Sequence, residues 1–186
     1  MNVNPRLYRF IGGNQGEWSV LAIRSVIGET LPMAARLAVV QGNGPVENSA
    51  WALSGVTSYG RYATQTEQAS LAAVQVPPGR AESTCAALIP IKKNAAWWNL
   101  TQDARRQIFE ERSRHTAIGV RYLPAIARRL HHCRDLAEPA PFDFLTWFDY
   151  AADQTQAFED LVGALRQTEE WAYVEREVDI RLTRAG

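Results

Sequence analysis

The 186-residue chain has only two cysteines, Cys85 and Cys133, far apart and in no CxxC pair. A disulfide-stapled scaffold is excluded, and two separate reduced thiols point to the cytoplasm. An excess of charge is also missing: 20 Lys+Arg face 20 Asp+Glu. Sequence-independent nucleic-acid binding needs a cationic surplus, so no nucleic-acid partner is expected. No uncharged apolar run approaches the roughly 18 residues needed to span a bilayer, so no membrane partner is expected either. The N-terminus has arginines but no continuous apolar stretch and no small-residue cleavage site, unlike a secretory signal. Histidine is scarce, with three residues and no HExxH, which removes the zinc-protease pattern. The Gly12-Gly13-Asn14-Gln15-Gly16 run lacks a following Lys-Ser or Lys-Thr, and there is no GxSxG. Phosphate-loop and serine-hydrolase chemistry are therefore unsupported.

What is present is a core: 46% of residues are hydrophobic and 10% aromatic, enough for an ordinary globular domain. Residues 142–150 alternate with period two, residues 154–169 switch to a helical face of Phe158, Leu161, Val162 and Leu165, and residues 172–183 alternate again. The last strand carries Val174, Val178, Ile180 and Leu182 against Glu175, Glu177, Asp179 and Arg181, the pattern of a half-solvated antiparallel strand. A similar β-α-β order spans a strand over 49–62, a helix over 64–75 and an apolar strand over 83–93, after the turn Pro77-Pro78-Gly79. These two segments look like a duplication. Between them, 101–122 reads as one long helix capped by Thr101, ending before Pro124, and 125–134 as a strand. The amphipathic strands favour an α+β fold with helices on one side of antiparallel sheets. The residues before Ser49 give no clear assignment.

Four positions are poorly explained by structure alone. Arg128 shares a strand face with Ile126, Leu130 and His132, where a guanidinium is costly unless an anion or carboxylate meets it; it either does so or snorkels to the rim. His115 lies on the apolar stripe of the long helix, with Ile108, Ile118 and Tyr122, as a satisfied core histidine or as an axial ligand for haem iron. Lys93 ends an apolar strand before Trp97-Trp98. Glu169 and Glu170 sit at the end of a helix, where the macrodipole disfavours acids and invites a partner. The adjacent His131 and His132 point to opposite faces and cannot readily share a metal.

Four ordered blocks carry a family resemblance: Ile89-Pro90-Ile91-Lys92-Lys93 with Trp97-Trp98; His115-x3-Gly119-x2-Tyr122 running through Arg128-Arg129-Leu130-His131-His132; Phe142 to Phe148; and Thr168-Glu169-Glu170-Trp171 through Glu177. With them the chain resembles the chlorite dismutases, in particular their short-subunit, dimeric lineage. The resemblance implies a single domain over 1–186 of two ferredoxin-like halves, about 1–100 and 101–186, forming a haem-binding β-barrel with flanking helices. It implies haem b as cofactor, chlorite as the small anionic substrate, chloride and dioxygen as products, and a homodimer. Residue by residue, it makes His115 the iron ligand, Glu170 the acceptor of its other ring N–H with Glu169 as the neighbouring candidate, and Arg128 the catalytic arginine that retains hypochlorite until the O–O bond forms. Lys93 and Trp97 would contact the haem edge, Lys93 near a propionate. Thr146, Phe148 and Leu130 would line the substrate side, and Gln75 would hold one rotamer of Arg128. A haem decarboxylase acting on coproporphyrin shares the barrel and the histidine but lacks this arginine. A haem carrier without turnover is the other reading.

Overall fold

Eight strands dominate the described residues: β1 (Leu7–Gly13), β2 (Trp18–Ile27), β3 (Arg36–Gln41), β4 (Ser49–Thr57), β5 (Cys85–Lys93), β6 (Ala127–His132), β7 (Phe144–Tyr150) and β8 (Val174–Arg184). The computed structural model describes residues 4–44, 48–57 and 60–184. All paired strands are antiparallel, in the order β1-β3-β2-β8-β5-β7-β6-β4, and β4 pairs back to β1, so the sheet closes into a barrel. Closure follows from the strands' two-sided pattern. On one face of each strand sit residues such as Phe10, Leu37, Leu53, Leu88, Leu145, Trp147, Ile180 and Leu182, which fill the lumen together. Each such side chain contributes roughly 1.5–3 kcal/mol relative to exposure. Gly12 lets this packing happen at the β1–β4 seam, because a Cβ there would run into the Trp51 ring.

The order contains a repeat. β4-β1-β3-β2 and β8-β5-β7-β6 have the same ferredoxin-like arrangement, so β5 opens the second unit and the units meet between β4 and β5. This places the division before residue 85, not near residue 100. The expected duplication of two β-α-β segments is also replaced: β4-α1-β5, with α1 at Gln65–Val74, crosses between units. The helices within a unit belong to the second: α2 (Ala95–Asn99), α3 (Gln102–Arg106) and α4 (His115–Val120) between β5 and β6, and α5 (Thr155–Arg166) between β7 and β8. The strands before Ser49, unassigned from sequence, are β1 to β3.

These helices cover the outer face of the second unit, where Ile89, Ile91, Phe148 and Tyr150 pack against Phe158, Leu161 and Leu165. The polar face of β8 is consequently not half-solvated. Glu177 and Asp179 are buried beneath α5, and Arg166 of that helix meets both, at 2.7 and 2.9 Å. No helix among the described residues is long and apolar enough to cross a membrane. Both cysteines are free; burial pushes the Cys133 thiol up to about 12, which leaves it inert.

Candidate active site

Strand register builds one wall of the main cavity. β5, β7 and β6 pair without a register shift, aligning three rows: Ala87, Phe148 and Arg128; Ile89, Thr146 and Leu130; Ile91, Phe144 and His132. Because side chains alternate, all of these point away from the lumen, which keeps Leu145, Trp147 and His131 on its own side. The helices and the 60–63 segment supply the opposite wall, including Tyr62, Phe109, His115, Thr116, Leu161 and Leu165. The site thus lies between the barrel's outer face and its helical cover, and the barrel itself encloses only side chains. The space between the two walls, open solvent included, is about 1220 Å³.

His115 is not in the middle of a long helix. The chain runs from α3 into a π-turn (Gln107–Arg112), Arg114 adopts the left-handed conformation at φ 53°, and His115 is the first residue of α4. Apolar spacing did not reveal the break, since an arginine in this conformation has no sequence signature. Nδ1 of His115 lies 2.7 Å from Oε2 of Glu170. With the carboxylate ionised, Nδ1 donates, and the Nε2 lone pair is left for the cavity.

Glu170 is held from several sides. Its other oxygen accepts from Nζ of Lys93 at 2.8 Å, and its backbone N–H donates to Oγ of Ser113 at 2.9 Å. Burial alone would raise its carboxyl pKa, but His115 and the Lys93 ammonium outweigh burial and hold it at about 2. Glu169 instead pairs with Arg112 at the surface, 2.8 Å away. The two acids open a 3-10 turn (Glu169–Tyr173) that follows α5. They do not end a helix, so the macrodipole does not account for their pairing.

Lys93 pairs with Glu170 on the cavity wall. It is 4% exposed, with its ammonium 4.7 Å from the Trp97 ring and 5.5 Å from the Trp171 ring. Burial lowers its pKa, against the attraction of Glu170. The Trp97 indole N–H and both ring nitrogens of His132 are buried with no hydrogen-bond partner among the described residues. Both residues line the cavity, so these are polar groups that an occupant would satisfy. His132 was read from sequence only as unable to share a metal with His131. Its place on the Arg128 face was the available signal.

Arg128 has no carboxylate partner among the described residues. Arg128 is half-buried beside the cavity, and burial lowers its pKa. Gln75, capping the end of α1, donates to the Arg128 backbone carbonyl at 3.1 Å. It does not bond the guanidinium, so it fixes the strand beneath Arg128 and not a rotamer.

The family model described as chlorite dismutase matches residues 2–185. The chain belongs to the chlorite dismutase family. Among solved structures, a dimeric chlorite dismutase from Nitrobacter winogradskyi is 56% identical, covering 96% of this chain and 99% of that one, with a TM-score of 0.88. A chlorite dismutase from Candidatus Nitrospira defluvii, crystallised with imidazole, shares the fold at TM-score 0.70 and 19% identity, over 98% of this chain and 92% of that one. The curated chlorite dismutase of Ideonella dechloratans is 35% identical over 86 residues, which is 46% of this chain and 27% of that protein.

Proposed function

We propose that this chain is a haem b enzyme that converts chlorite to chloride and dioxygen. The observation that carries the reading is one cavity with a histidine lone pair on its helical wall and an unpaired guanidinium on its sheet wall. The residues fit a haem: the cavity lies between two extended walls, its sheet wall is mostly Ile, Phe and Leu, and the Trp97 N–H and His132 nitrogens are buried without hydrogen-bond partners among the described residues. Bound haem supplies the oxygen-atom transfer that no side chain here can perform. His115 would hold the iron through Nε2, while Glu170, kept ionised with Lys93 beside it, accepts a hydrogen bond from Nδ1–H and would make the imidazole a stronger donor. Arg128 would attract chlorite and hold a chlorine oxyanion in the cavity, since a guanidinium stays charged at ordinary pH. Leu130, Thr146 and Phe148 offer few competing donors around that anion, which strengthens the field of Arg128.

We also propose a homodimer. Among the described residues the first unit has no helix between its strands, and it exposes Leu21 on β2 and Met33 in the β2–β3 connection, at 65% and 70%, surface that a second copy would cover. The reading is tested by adding chlorite to haem-reconstituted protein with an oxygen electrode. Oxygen and chloride should form in equal amounts, and His115→Ala should fail to retain haem. A red protein that evolves no oxygen is a carrier, and the proposed activity then falls.

A further inference from the structure

We propose that Glu110 is a positioning residue for His115, acting across the left-handed break as the N-terminal cap that α4 otherwise lacks; this rests on His115 being the haem ligand. Arg114 occupies the cap position of α4 and offers no side-chain hydrogen bond there. An α-helix leaves its first N–H groups without partners, and a cap normally accepts from the second or third of them. Here those residues are Thr116 and Ala117, and both N–H groups donate to the Glu110 carboxylate, at 2.7 Å to Oε2 and 3.4 Å to Oε1. The acceptor comes from the π-turn, where the wider winding adds a residue to the turn. The same turn places Phe109 face to face with the His115 ring, centroids 4.3 Å apart and planes 20° from parallel.

His115 is thus constrained at three points. Glu170 fixes Nδ1, Phe109 fixes the ring plane, and Glu110 fixes the backbone turn from which the ring projects. α4 has six residues, too few to hold itself by propagation alone. Without Glu110, two buried-side N–H groups and an αL arginine are left to define where the ligand starts. Gln keeps the reach and one acceptor oxygen, enough for the short bond from the Thr116 N–H, whereas Asp, one methylene shorter, reaches neither N–H.

The test uses the haem-loaded protein and two readouts other than turnover: the Fe(II)–His stretching band by resonance Raman, and the rate of haem transfer to an excess of apomyoglobin. Glu110→Ala and Glu110→Asp should shift or broaden the band and speed haem loss by about tenfold, the size of a lost cap. Glu110→Gln should resemble the parent on both readouts, as should Glu111→Ala on the exposed neighbour. If Glu110→Ala fails to fold, the Asp and Gln variants still decide. A band and transfer rate equal to the parent's in Glu110→Asp overturn the proposal, even with a lowered Tm. Should the parent itself show no histidine-ligated haem, it is the reading of the site that fails, which the parent spectrum reveals before any variant is made.

Discussion

Replacing Arg128 by alanine removes, among the described residues, the cation on the cavity's sheet wall that has no counter-ion. Two unit charges 4 Å apart attract by about 4 kcal/mol at an effective dielectric of about 20. Arg128 is half-buried, so screening leaves roughly half of that, about 2 kcal/mol. An anion's residence should therefore shorten by about 30-fold. The variant should keep haem, still react with chlorite, release more hypochlorite to an external trap and bleach after fewer turnovers. Oxygen formed per haem at exhaustive chlorite, with and without a chlorination-sensitive dye, measures both. Arg128→Lys should recover part of the yield, having the charge without the planar fork. Stability should move the other way. Burial is the cause of the lowered Arg128 pKa, so the folded state holds that proton less tightly than the unfolded chain does. At neutral pH, below both pKa values, this difference opposes folding. Alanine should melt at the same temperature or higher, as removal of an unpaired buried charge predicts. Equal oxygen yield and equal trapping in parent and alanine variant would refute the retention role; a sharply lowered Tm would refute the unpaired state.

Two further outcomes follow from the buried acids and histidines. Glu170→Gln should raise the Fe(III)/Fe(II) potential and cost about 3 kcal/mol in urea melts, since it strips Lys93 of its buried counter-ion, while Glu169→Gln, paired only with surface Arg112, should change neither; a shift in the latter alone would reverse the assignment. His131 is buried between Tyr8 and Phe10, and burial lowers its pKa from 6.5 to about 4. The unfolded chain then takes up a proton before the native state does, so stability is complete above pH 6.5 and falls as pH drops toward 4, by about 3 kcal/mol. His131→Leu should flatten this slope in denaturant titrations at stepped pH, and an unchanged slope would place the titration elsewhere.

The regular parts of the second unit were legible because period-two and period-3.6 patterns survive wherever one face packs on apolar neighbours. α1 lies between Thr64 and Gln75, its caps, and β5, β7, α5 and β8 fall within a few residues of their expected ends. Arg128 stood out for the same reason, as a charge on an apolar face. β1 to β3 were not legible, since their pairing is set by partners far away: Trp18 meets Leu37 on one side and Arg184 on the other. Long-range contacts also decide what alternation cannot. The acidic face of β8 reads as solvent-facing until Arg166 arrives from α5, and Lys93 reads as a strand-end cation until the 3-10 turn brings Glu170. The π-turn and the left-handed Arg114 are local dihedral choices that many sequences could make, so the ligand helix looked continuous. The barrel was expected from the resemblance, whereas the cavity's place outside it came from the rows of β5, β7 and β6.

Those rows make the site intolerant of insertion in a particular way. Side chains on a strand change face at each step, and Arg128 and Arg129 are neighbours, as are His131 and His132. One uncharged residue added within β6 ahead of Arg128, with the pairing to β7 before it kept, would turn Arg128 to the other face and leave net charge and even the Arg-Arg-Leu-His-His string intact. Sequence comparison would score such a protein as complete, while the guanidinium pointed into Leu145 and Trp147. Added length in the 133–143 connection carries no such penalty, because it lies between the strands and not within their pairing. Homologues are therefore better judged by the parity of spacing along β6 and β7 than by the presence of the motif.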